Sequence, residues 1–488
     1  MIIFYQKIKD IIKKSNSQCY VYYDEKHYYP EMYENIQKLN YILKDYSRCR
    51  IAFYTGKSFN TYCGVFGILL SGNIWIPFNP DSPEKRNLEM IDLAKPSIIL
   101  TDRDIPEKIS SYARTNNIRI ENIIEIFNAN NKSELIYNDF KKDDLAYIMF
   151  TSGSTGIPKG VPMTNLNYIN FIENAMKILP FEKGEIFSDF HDLGFDISIF
   201  YLFCCVLTES AFAPTLKDEE RFFPIDNIIQ NKITVWSSVP SAISRVATIR
   251  PEDQIKTNIK IMFLCGEPFR LDILKYCYHN LGLDNIYNFY GLTETGVENF
   301  YHICSINDIN RFSKQGFVPI GKPLNGNKIK ITDKKELLIS GCQVTPGYLG
   351  NIGKERFEVI DNEIWYHTGD IVEFFEDVYF CKGRVDSQVK LAGFRVELMD
   401  VETHVRRYHD INDAVCFVNN SDMKNILLCA VETRVSIDEN DLRKKLSKEL
   451  PYYMIPTKFF YNETFPRNKN GKIDRKSIKE KYINHTLL

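Results

Sequence analysis

The 488-residue chain has no surplus of basic charge, no long uninterrupted apolar run and only three tryptophans. Its 61 Lys and Arg residues against 63 Asp and Glu residues give a formal net charge of −2. Proteins that bind nucleic acids or anionic membranes usually carry a basic surplus, so we expect neither as a partner. The longest apolar segment, residues 197–207, falls short of the roughly 18 residues that a membrane-spanning helix needs. We therefore expect that segment to lie in a buried core.

Charges also interrupt the N-terminal apolar stretch before the core of a signal peptide could form. The twelve cysteines are scattered, with no Cys-x-x-Cys pair and no histidine spaced to complete a zinc site. This usage favours reduced thiols in a cytoplasmic protein. With 44% hydrophobic and 25% charged residues the chain has an ordinary globular composition. At about 150 residues per domain, the length predicts about three domains, or one large domain and one small one.

Apolar runs followed by small polar turns and then by helical periodicity predict strand–loop–helix units, and hence an α/β fold. We expect strands at 145–150, 233–236, 259–264 and 286–290, each leading into a loop rich in small or polar residues. Ligands of open α/β sheets bind beyond the carboxyl ends of the strands. These loops are therefore the first places to look for a functional site.

A second domain is expected to begin near residue 386, after a segment of strand and turn. We divide the chain into a large N-terminal body of α/β subdomains, 1–385, and a small α+β domain, 386–488. The elements expected in the small domain are a helix at about 400–407, strands at 414–418 and 426–431, and a helix at about 440–450.

The loop TSGSTGIPKG, residues 151–160, combines glycines, hydroxyl groups and a lysine. Glycines let a backbone approach phosphate closely, and successive N–H groups can surround its oxygens. The loop does not fit the Walker pattern, because Pro158 precedes Lys159 and Gly160 follows it. Taken alone, the segment is also compatible with an ordinary flexible turn.

Together with other motifs, this loop resembles the phosphate-binding signature of the adenylate-forming superfamily, which includes acyl-CoA ligases, luciferases and amino-acid adenylation domains. The further motifs follow in the family's order over nearly the whole chain. They are FDISIF (195–200), YGLTE (290–294), SGCQVTPGYLG (340–350), YHTGD (366–370), GRVDSQVKLAGFRVE (384–397) and NKNGKID (468–474). Their spelling is most similar to amino-acid adenylation domains and to stand-alone amino-acid–carrier-protein ligases.

The resemblance implies ATP and Mg²⁺ as cofactors. It places Tyr290 against adenine, Asn288 at the adenine amino edge, and Asp370 and Arg384 at the ribose hydroxyls. Thr293 would contact the α-phosphate, and Glu294 would bind Mg²⁺, a cation that prefers oxygen ligands. The remaining residues implied to bind the nucleotide are Thr151, Ser152, Gly153, Ser154, Thr155, Gly156, Lys159, Gly266, Phe289 and Gly291.

Three residues of the C-terminal region take roles by the same resemblance. Lys472 would reach the substrate carboxylate and the bridging oxygen during adenylation. Asp386 would be the hinge about which the small domain rotates before thiolation. That rotation would replace Lys472 by the Lys390–Gly393 stretch, where glycine leaves room for a pantetheine arm.

Asp196 occupies the position at which amino-acid-activating members pair a carboxylate with the substrate's amino group. A carboxylate in an apolar pocket needs a cationic partner, and an ammonium group supplies one. The alternative is that Asp196 is the N-cap of the following helix. The remaining pocket positions are Ile197, Phe200, Ser237, Phe263, Cys265, Phe289, Val297 and Glu298. Three phenylalanines predict a tight pocket for a small or medium side chain, whereas Glu298 would face a basic or hydroxylated side chain or point away.

The resemblance thus implies a stand-alone ATP-dependent ligase that activates an amino acid and loads it onto the phosphopantetheine thiol of a separate carrier protein. We expect the enzyme to be a monomer. No carrier domain is expected in the same chain. One alternative within this class is a D-alanine–D-alanyl carrier protein ligase. The others are an acyl-CoA ligase that uses free coenzyme A, and an adenylate-binding sensor without activity.

Overall fold

The computed structural model describes residues 1–135, 137, 139–152, 158–385, 388–391, 393–421, 424–467 and 473–483. Within them the chain forms two compact units. Unit 1 comprises 1–80, 91–150 and 160–385, and unit 2 comprises 81–90, 151–159 and 386–488.

The helices and strands of the described residues are numbered in chain order. The α-helices are α1 (Ile2–Lys14), α2 (Tyr29–Leu43), α3 (Phe59–Leu70), α4 (Glu84–Ala94), α5 (Glu107–Thr115), α6 (Ile123–Asn128), α7 (Asn165–Ile178), α8 (Ser198–Leu207), α9 (Asp218–Phe222), α10 (Ile225–Gln230), α11 (Pro240–Ile249), α12 (Leu271–His279), α13 (Asp308–Arg311), α14 (Leu398–Arg406), α15 (Glu439–Leu446) and α16 (Arg475–Ile483). The strands are β1 (Gln18–Tyr22), β2 (Glu25–Tyr28), β3 (Arg50–Tyr54), β4 (Ile74–Phe78), β5 (Ile98–Thr101), β6 (Arg119–Asn122), β7 (Leu145–Thr151), β8 (Lys159–Thr164), β9 (Ile186–Asp189), β10 (Ala211–Pro214), β11 (Val235–Ser238), β12 (Ile261–Leu264), β13 (Ile286–Tyr290), β14 (Phe300–Ile303), β15 (Lys322–Pro323), β16 (Asn327–Ile331), β17 (Glu336–Gly341), β18 (Phe357–Ile360), β19 (Glu363–Phe375), β20 (Val378–Arg384), β21 (Gln388–Leu391), β22 (Phe394–Glu397), β23 (Asp413–Ser421), β24 (Lys424–Glu432) and β25 (Lys458–Asn462).

Unit 1 contains three sheets. A nine-stranded sheet has the order β15-β14-β13-β12-β11-β9-β10-β1-β2, and its central strands from β1 to β13 pair in parallel. A six-stranded sheet has the order β6-β5-β3-β4-β7-β8. A five-stranded antiparallel sheet has the order β16-β17-β19-β18, with β20 also paired to β19. Parallel strands buried on both faces read as continuous apolar runs, which is how β4, β5 and β12 read.

Helix α8 shows why the apolar segment at 197–207 lies inside rather than in a membrane. Nearly every side chain of α8 is buried, and the aromatic residues Phe200, Tyr201 and Phe203 are almost completely inaccessible. The helix packs in the main core together with α1, α7 and strands of the large sheet. No helix in the described part of the chain is long and apolar enough to cross a membrane.

Unit 2 has its own core. It contains the hairpin β21–β22 and the three-stranded sheet β23-β24-β25. Val401 and Val405 of α14 pack with Cys416 and Leu427 of the sheet and with Leu442 of α15. The apolar positions of α14 fall at helical spacing, so burial of one face is what stabilises this helix.

The predicted α/β class is confirmed, and most predicted elements are present. Strand 286–290 has the expected bounds, and 145–150 extends by one residue. The strand expected at 233–236 begins two residues later, as β11. The helix expected at about 440–450 ends earlier, at Leu446. Nine of the twelve cysteines are buried, and all twelve are free thiols.

Candidate active site

The predicted pocket residues of unit 1 gather at the carboxyl ends of neighbouring parallel strands. Ser237 lies in β11 and Phe263 in β12, and Cys265 follows β12 directly. Phe289 lies in β13 and is paired by register with Tyr301 of β14. Parallel strands end at one edge of their sheet, so their terminal side chains are brought together there.

Three phenylalanines form a stacked column inside this region. The rings of Phe200 and Phe263 have centroids 4.1 Å apart at an interplanar angle of 21°. Phe263 and Phe289 stack in the same way at 4.2 Å and 19°. All three side chains are buried. The column joins α8 to β12 and β13, and it fills space that smaller side chains would leave open.

Asp196 lies one helical turn before Phe200. Helix α8 begins at Ser198, and its N-cap residue is Ile197, without a side-chain capping bond. The N-cap alternative for Asp196 is therefore wrong. Asp196 lies in the turn that leads into α8, and Phe200 of the column lies in the first turn of that helix.

The buried phenol of Tyr147 in β7 is close enough to Asp196 for the charge of that carboxylate to affect its pKa. Burial, and then the negative charge of Asp196, raises the pKa of Tyr147 well above its usual value. The Tyr147 hydroxyl has no hydrogen-bond partner among the described residues. A buried polar atom without a partner is costly, so a bound polar group fits at this position.

The loop that carries Asp196 is anchored by buried polar contacts that the sequence analysis missed. Lys57 Nζ lies 2.7 Å from Oδ1 of Asp189 at the end of β9. Asn79 Nδ2 donates to Oδ2 of Asp192 at 2.5 Å, and the Gly194 backbone N–H donates to Oδ1 of Asp192 at 2.7 Å. These contacts tie the loop to the ends of β3 and β4 in the other sheet. The contacts of Lys57 and Asn79 join residues more than 100 positions apart, so no local sequence pattern predicts them.

The two residues expected at the ribose form an ion pair with each other, and the residue expected at adenine donates a hydrogen bond to that pair. Asp370 in β19 lies opposite Arg384 in β20, and Arg384 Nη1 donates to Oδ1 of Asp370 at 2.7 Å. The Tyr290 hydroxyl donates to the second oxygen, Oδ2. Burial, and then the Asp370 charge, raises the pKa of Tyr290 well above its usual value, which keeps this phenol protonated.

Asn288 has an acceptor that the protein leaves open. Its Nδ2 donates to the Pro319 carbonyl at 2.8 Å. Its Oδ1 is buried and has no partner among the described residues. A donor of a bound ligand, such as the exocyclic amino group of adenine, would satisfy this atom.

Glu294 is fully buried in a 3₁₀ turn, Thr293–Thr295, that directly follows β13. The Tyr348 hydroxyl donates to Oε1 of Glu294 at 2.6 Å, and the Thr345 backbone N–H donates to the Glu294 carbonyl at 2.8 Å. Both partners come from the loop after β17. The carboxylate is thus held in one orientation, with an oxygen chemistry that suits Mg²⁺.

Gly291, directly after β13, lies against the backbone of Val297 and Glu298. A Cβ atom at Gly291 would come within 2.2 Å of the Val297 carbonyl oxygen and 2.4 Å of the Glu298 Cα. Only glycine fits this backbone approach. Val297 and Glu298 are both buried and are thereby brought against the end of β13. Gly266, after β12, has a positive φ of 81°.

The remaining predicted residues belong to unit 2. Thr151 ends β7, and its buried hydroxyl has no partner among the described residues. The Ser152 hydroxyl donates to the Arg395 carbonyl at 2.9 Å. Lys159 begins β8, and Lys390 lies in β21, where its register partner is Arg395. The other predicted positions, Gly153, Ser154, Thr155, Gly156, Asp386 and Lys472, lie outside the described residues.

Asn288 and the turn with Glu294 lie at the end of the parallel strand β13, and the Asp370–Arg384 ion pair lies in the antiparallel sheet to which Tyr290 connects them. The chain belongs to the AMP-binding enzyme family, which matches residues 11–349. It is an ATP-dependent, AMP-forming ligase of that family, and its predicted family and enzyme class are confirmed.

Similar proteins cover nearly the whole chain. A D-alanine–D-alanyl carrier protein ligase of Lactococcus lactis is 31% identical over 457 residues, which is 88% of this chain and 89% of the relative. A ligase of the same name from Staphylococcus epidermidis is 29% identical over 465 residues, 93% of each chain. The fold matches the Vibrio cholerae adenylation domain AlmE, solved with glycyl-adenosine-5'-phosphate, with a TM-score of 0.83 at 22% identity over 99% of this chain and 98% of that one.

Proposed function

We propose that the protein activates an amino acid with ATP and loads it onto the phosphopantetheine thiol of a separate carrier protein. The observation that carries this proposal is the placement of Asp196. Asp196 lies in the turn before α8, whose Phe200 belongs to a buried column of three aromatic rings, and its charge acts on the buried phenol of Tyr147. A carboxylate beside an apolar pocket favours a substrate with an ammonium group, which can pair with it. It disfavours an acid without an amino group, because the carboxylate would then be desolvated without a cationic partner.

The reaction has two steps. In the first, an oxygen of the substrate carboxylate attacks the α-phosphorus of ATP, and the bond to the bridging oxygen breaks, so pyrophosphate leaves. In the second, the carrier thiolate attacks the acyl carbon of the adenylate, and AMP leaves with the bonding electrons. Neither step needs an acid–base group with an unusual pKa, so the protein contributes chiefly orientation and charge stabilisation.

Two described groups support the nucleotide assignment. The open Oδ1 of Asn288 is an acceptor suited to the amino group of adenine. The Asp370 carboxylate, already oriented by Arg384 and Tyr290, has further lone pairs with which to accept ribose O–H groups. We assign Thr151 and its neighbours through Lys159 to the triphosphate, where the open Thr151 hydroxyl supplies a donor.

Glu294 is the residue proposed to hold Mg²⁺. Its Oε1 is oriented by the Tyr348 hydroxyl, and its backbone is fixed by Thr345. The ion, when bound, neutralises phosphate charge as pyrophosphate departs. Thr293, half-buried in the same turn, is assigned to the α-phosphate.

The pocket favours a small side chain. Phe200, Phe263 and Phe289 stack on one another and thereby occupy the volume that a large substrate side chain would need. Relatives named as D-alanine–D-alanyl carrier protein ligases make D-alanine the first candidate, with glycine next. The buried Glu298 favours an alternative, a substrate with a hydroxylated or basic side chain.

We also propose that residues 386–488 act as a mobile lid. Lys472 is assigned to the substrate carboxylate in adenylation, Asp386 to the hinge, and Lys390 to the thiolation step. A protein that needs two sets of groups for two steps can present them in turn by rotating one domain. We take the working form to be a monomer.

The decisive experiment is amino-acid-dependent exchange of labelled pyrophosphate into ATP, measured across the common amino acids, D-alanine and several acids without an amino group. We expect exchange with a small amino acid, and a loss of at least tenfold in Asp196→Asn, because the substrate ammonium loses its charged partner. Asp192→Asn is not a suitable control since it disturbs the same loop. Asp226→Asn, in the first turn of the short helix α10, changes a carboxylate away from the pocket.

Exchange that occurs only with acids lacking an amino group would overturn the amino-acid assignment. Thioester formation with free coenzyme A, and none with a carrier protein, would instead identify an acyl-CoA ligase. ATP binding without any exchange would identify a sensor. For the lid, Lys472→Ala should abolish exchange while thioester formation from a supplied aminoacyl adenylate survives. Equal loss in both steps would contradict the two-state assignment.

A further inference from the structure

Gln343 is a buried side chain whose amide is used entirely for holding another loop. Its Nε2 lies 2.9 Å from the Gly296 carbonyl oxygen, 2.7 Å from that of Glu298 and 3.3 Å from that of Thr295. At the other end, Asn327 Nδ2 donates to Oε1 of Gln343 at 2.9 Å. The side chain is fully inaccessible to solvent. Its donors therefore serve backbone carbonyls and nothing else.

The segment that Gln343 holds has an unfavourable backbone. Gly296 has φ = 77°, and the next residue, Val297, has φ = 78°. A positive φ suits glycine, but it is a genuine outlier for a β-branched residue. Such a conformation persists only where the surroundings determine it, and it tends to occur at functional sites. Three carbonyls of this turn point at one amide, which is the kind of contact that would hold it.

The turn follows Glu294, the residue proposed for Mg²⁺, and it contains Val297 and Glu298, two of the residues proposed for the amino-acid pocket. On one side, Glu294 is held by Thr345 and Tyr348. On the other side, Val297 and Glu298 press against Gly291, where a Cβ has no room. The two sides thus have different supports. Thr345 and Tyr348 fix Glu294, whereas Gln343 fixes the pocket wall.

We propose that Gln343 is a positioning residue for amino-acid selection: its amide holds the strained turn 296–298 so that Val297 and Glu298 form the pocket wall. The inference rests on the proposed amino-acid-activating function. It assigns Gln343 no contact with substrate and no effect on the nucleotide. Loss of the amide should therefore change amino-acid KM and discrimination, while ATP KM and the orientation of Glu294 are retained.

The first test compares wild type with Gln343→Met in pyrophosphate exchange. Methionine has a similar length but no donor, so the Gly296 and Glu298 carbonyls lose the Gln343 amide, whereas the Thr295 carbonyl still accepts from Asn299 Nδ2. We expect the amino-acid KM to rise roughly tenfold or more, with ATP KM within about twofold of wild type. The preference for the best amino acid over the next should fall as well. A matched control is Asn40→Leu, which removes a buried amide donor to the Glu134 carbonyl at 2.8 Å in the same unit, where its partners at 133–134 are not pocket residues.

The positive φ of Val297 in the turn 296–298 allows a second test, in which the effects of two substitutions are compared alone and together. Val297→Gly removes the strain, because glycine accepts positive φ. If Gln343 acts by holding this turn, Gln343→Met should cost much less in a Val297→Gly background than alone. Additive effects would indicate that the two residues act independently. A general packing role for Gln343 predicts additivity.

Gln343→Glu keeps the shape of the side chain and provides a second test of the proposal if the methionine variant unfolds. An ionised carboxylate cannot donate to the carbonyls, whereas a protonated one can. The amino-acid KM of this variant should therefore improve as pH falls, relative to wild type at the same pH. Absence of any exchange in wild type would defeat the proposed function itself. Exchange in wild type with an unchanged amino-acid KM in both variants, or loss of fold in both, would overturn the role of Gln343.

Discussion

Asp370 lies directly opposite Arg384 in the antiparallel pairing of β19 with β20, and Arg384 Nη1 donates to Asp370 Oδ1 at 2.7 Å. Their side chains are only 4% and 12% exposed, so the pair is largely removed from water. The Tyr290 hydroxyl occupies the other carboxylate oxygen. One acid thus connects the end of β13 to the five-stranded sheet, and its charge and position depend on both partners.

The first prediction concerns this pair. Arg384→Met leaves a buried carboxylate without its cation, and removing one partner of such a pair typically costs about 3–5 kcal/mol of unfolding free energy. We expect a loss of that order in urea unfolding, together with a raised ATP KM. Arg311→Met is the control, because Arg311 pairs with Glu376 on the surface and should cost no more than about 1 kcal/mol. Equal costs in the two variants would contradict the prediction.

A second buried pair is predicted to behave cooperatively. Burial lowers the pKa of Lys57, and the neighbouring Asp189 opposes that shift. Asp189 is fully inaccessible and also accepts the Tyr62 hydroxyl at 2.5 Å. Lys57→Met should therefore cost about 3–5 kcal/mol. Adding Asp189→Asn, which removes the stranded charge, should recover part of that loss.

The measurement is a double-mutant cycle in denaturant. Unfolding free energies of wild type, Lys57→Met, Asp189→Asn and the double variant give the coupling between the two positions. A favourable coupling above about 0.5 kcal/mol is expected for residues in direct contact. Strict additivity would show that the ion pair does not hold the Asp196 loop.

The third prediction concerns the size of the pocket. Phe263 is the middle ring of the column, stacked on Phe200 on one side and Phe289 on the other. Phe263→Ala should open a cavity at a cost of about 3–5 kcal/mol. If the column sets substrate size, the same change should shift pyrophosphate exchange from small amino acids toward larger ones. Phe212→Ala, a buried aromatic change elsewhere in the large sheet, should destabilise without altering selectivity.

Local pattern explains which parts of this arrangement were predictable. Strand β13 was predicted with its correct bounds, because a short apolar run ends in glycine after Tyr290. The phenylalanines and Asp196 were found because they lie in recognisable motifs. The antiparallel strand β16 was not predicted. Its sequence, NKIKI, is mostly exposed and alternates too weakly to stand out.

Contacts between residues far apart in the sequence could not be predicted from local sequence patterns. Gln343 lies inside the motif SGCQVTPGYLG, but its partners are backbone carbonyls 45 to 48 residues away. Every residue has a backbone carbonyl, so the residue types at 295–298 do not reveal which carbonyls a distant amide will bind. The membership of 81–90 and 151–159 in the same compact unit as 386–488 is equally invisible in the local pattern. Packing of the folded chain decides both.

The last prediction is a pH dependence of stability in unit 2. Burial alone would lower the pKa of His404, but hydrogen bonds to Asp400 and the charge of Asp400 raise it overall. Its Nδ1 lies 3.1 Å from Oδ1 of Asp400, and its Nε2 lies 3.5 Å from Oε2 of Glu449. The charge of Arg407, which directly follows α14, opposes the shift.

Because the folded-state pKa exceeds the unfolded value of about 6.5, the protonated ring stabilises the fold. That contribution is complete below the unfolded pKa and is lost as pH rises through the folded pKa. We expect the unfolding free energy of the full chain to decline as pH rises above the unfolded pKa of about 6.5, and His404→Gln to flatten this decline. The exposed His409 is the control, since His409→Gln should leave the slope unchanged. A slope that persists in His404→Gln would mean that another group titrates in this range.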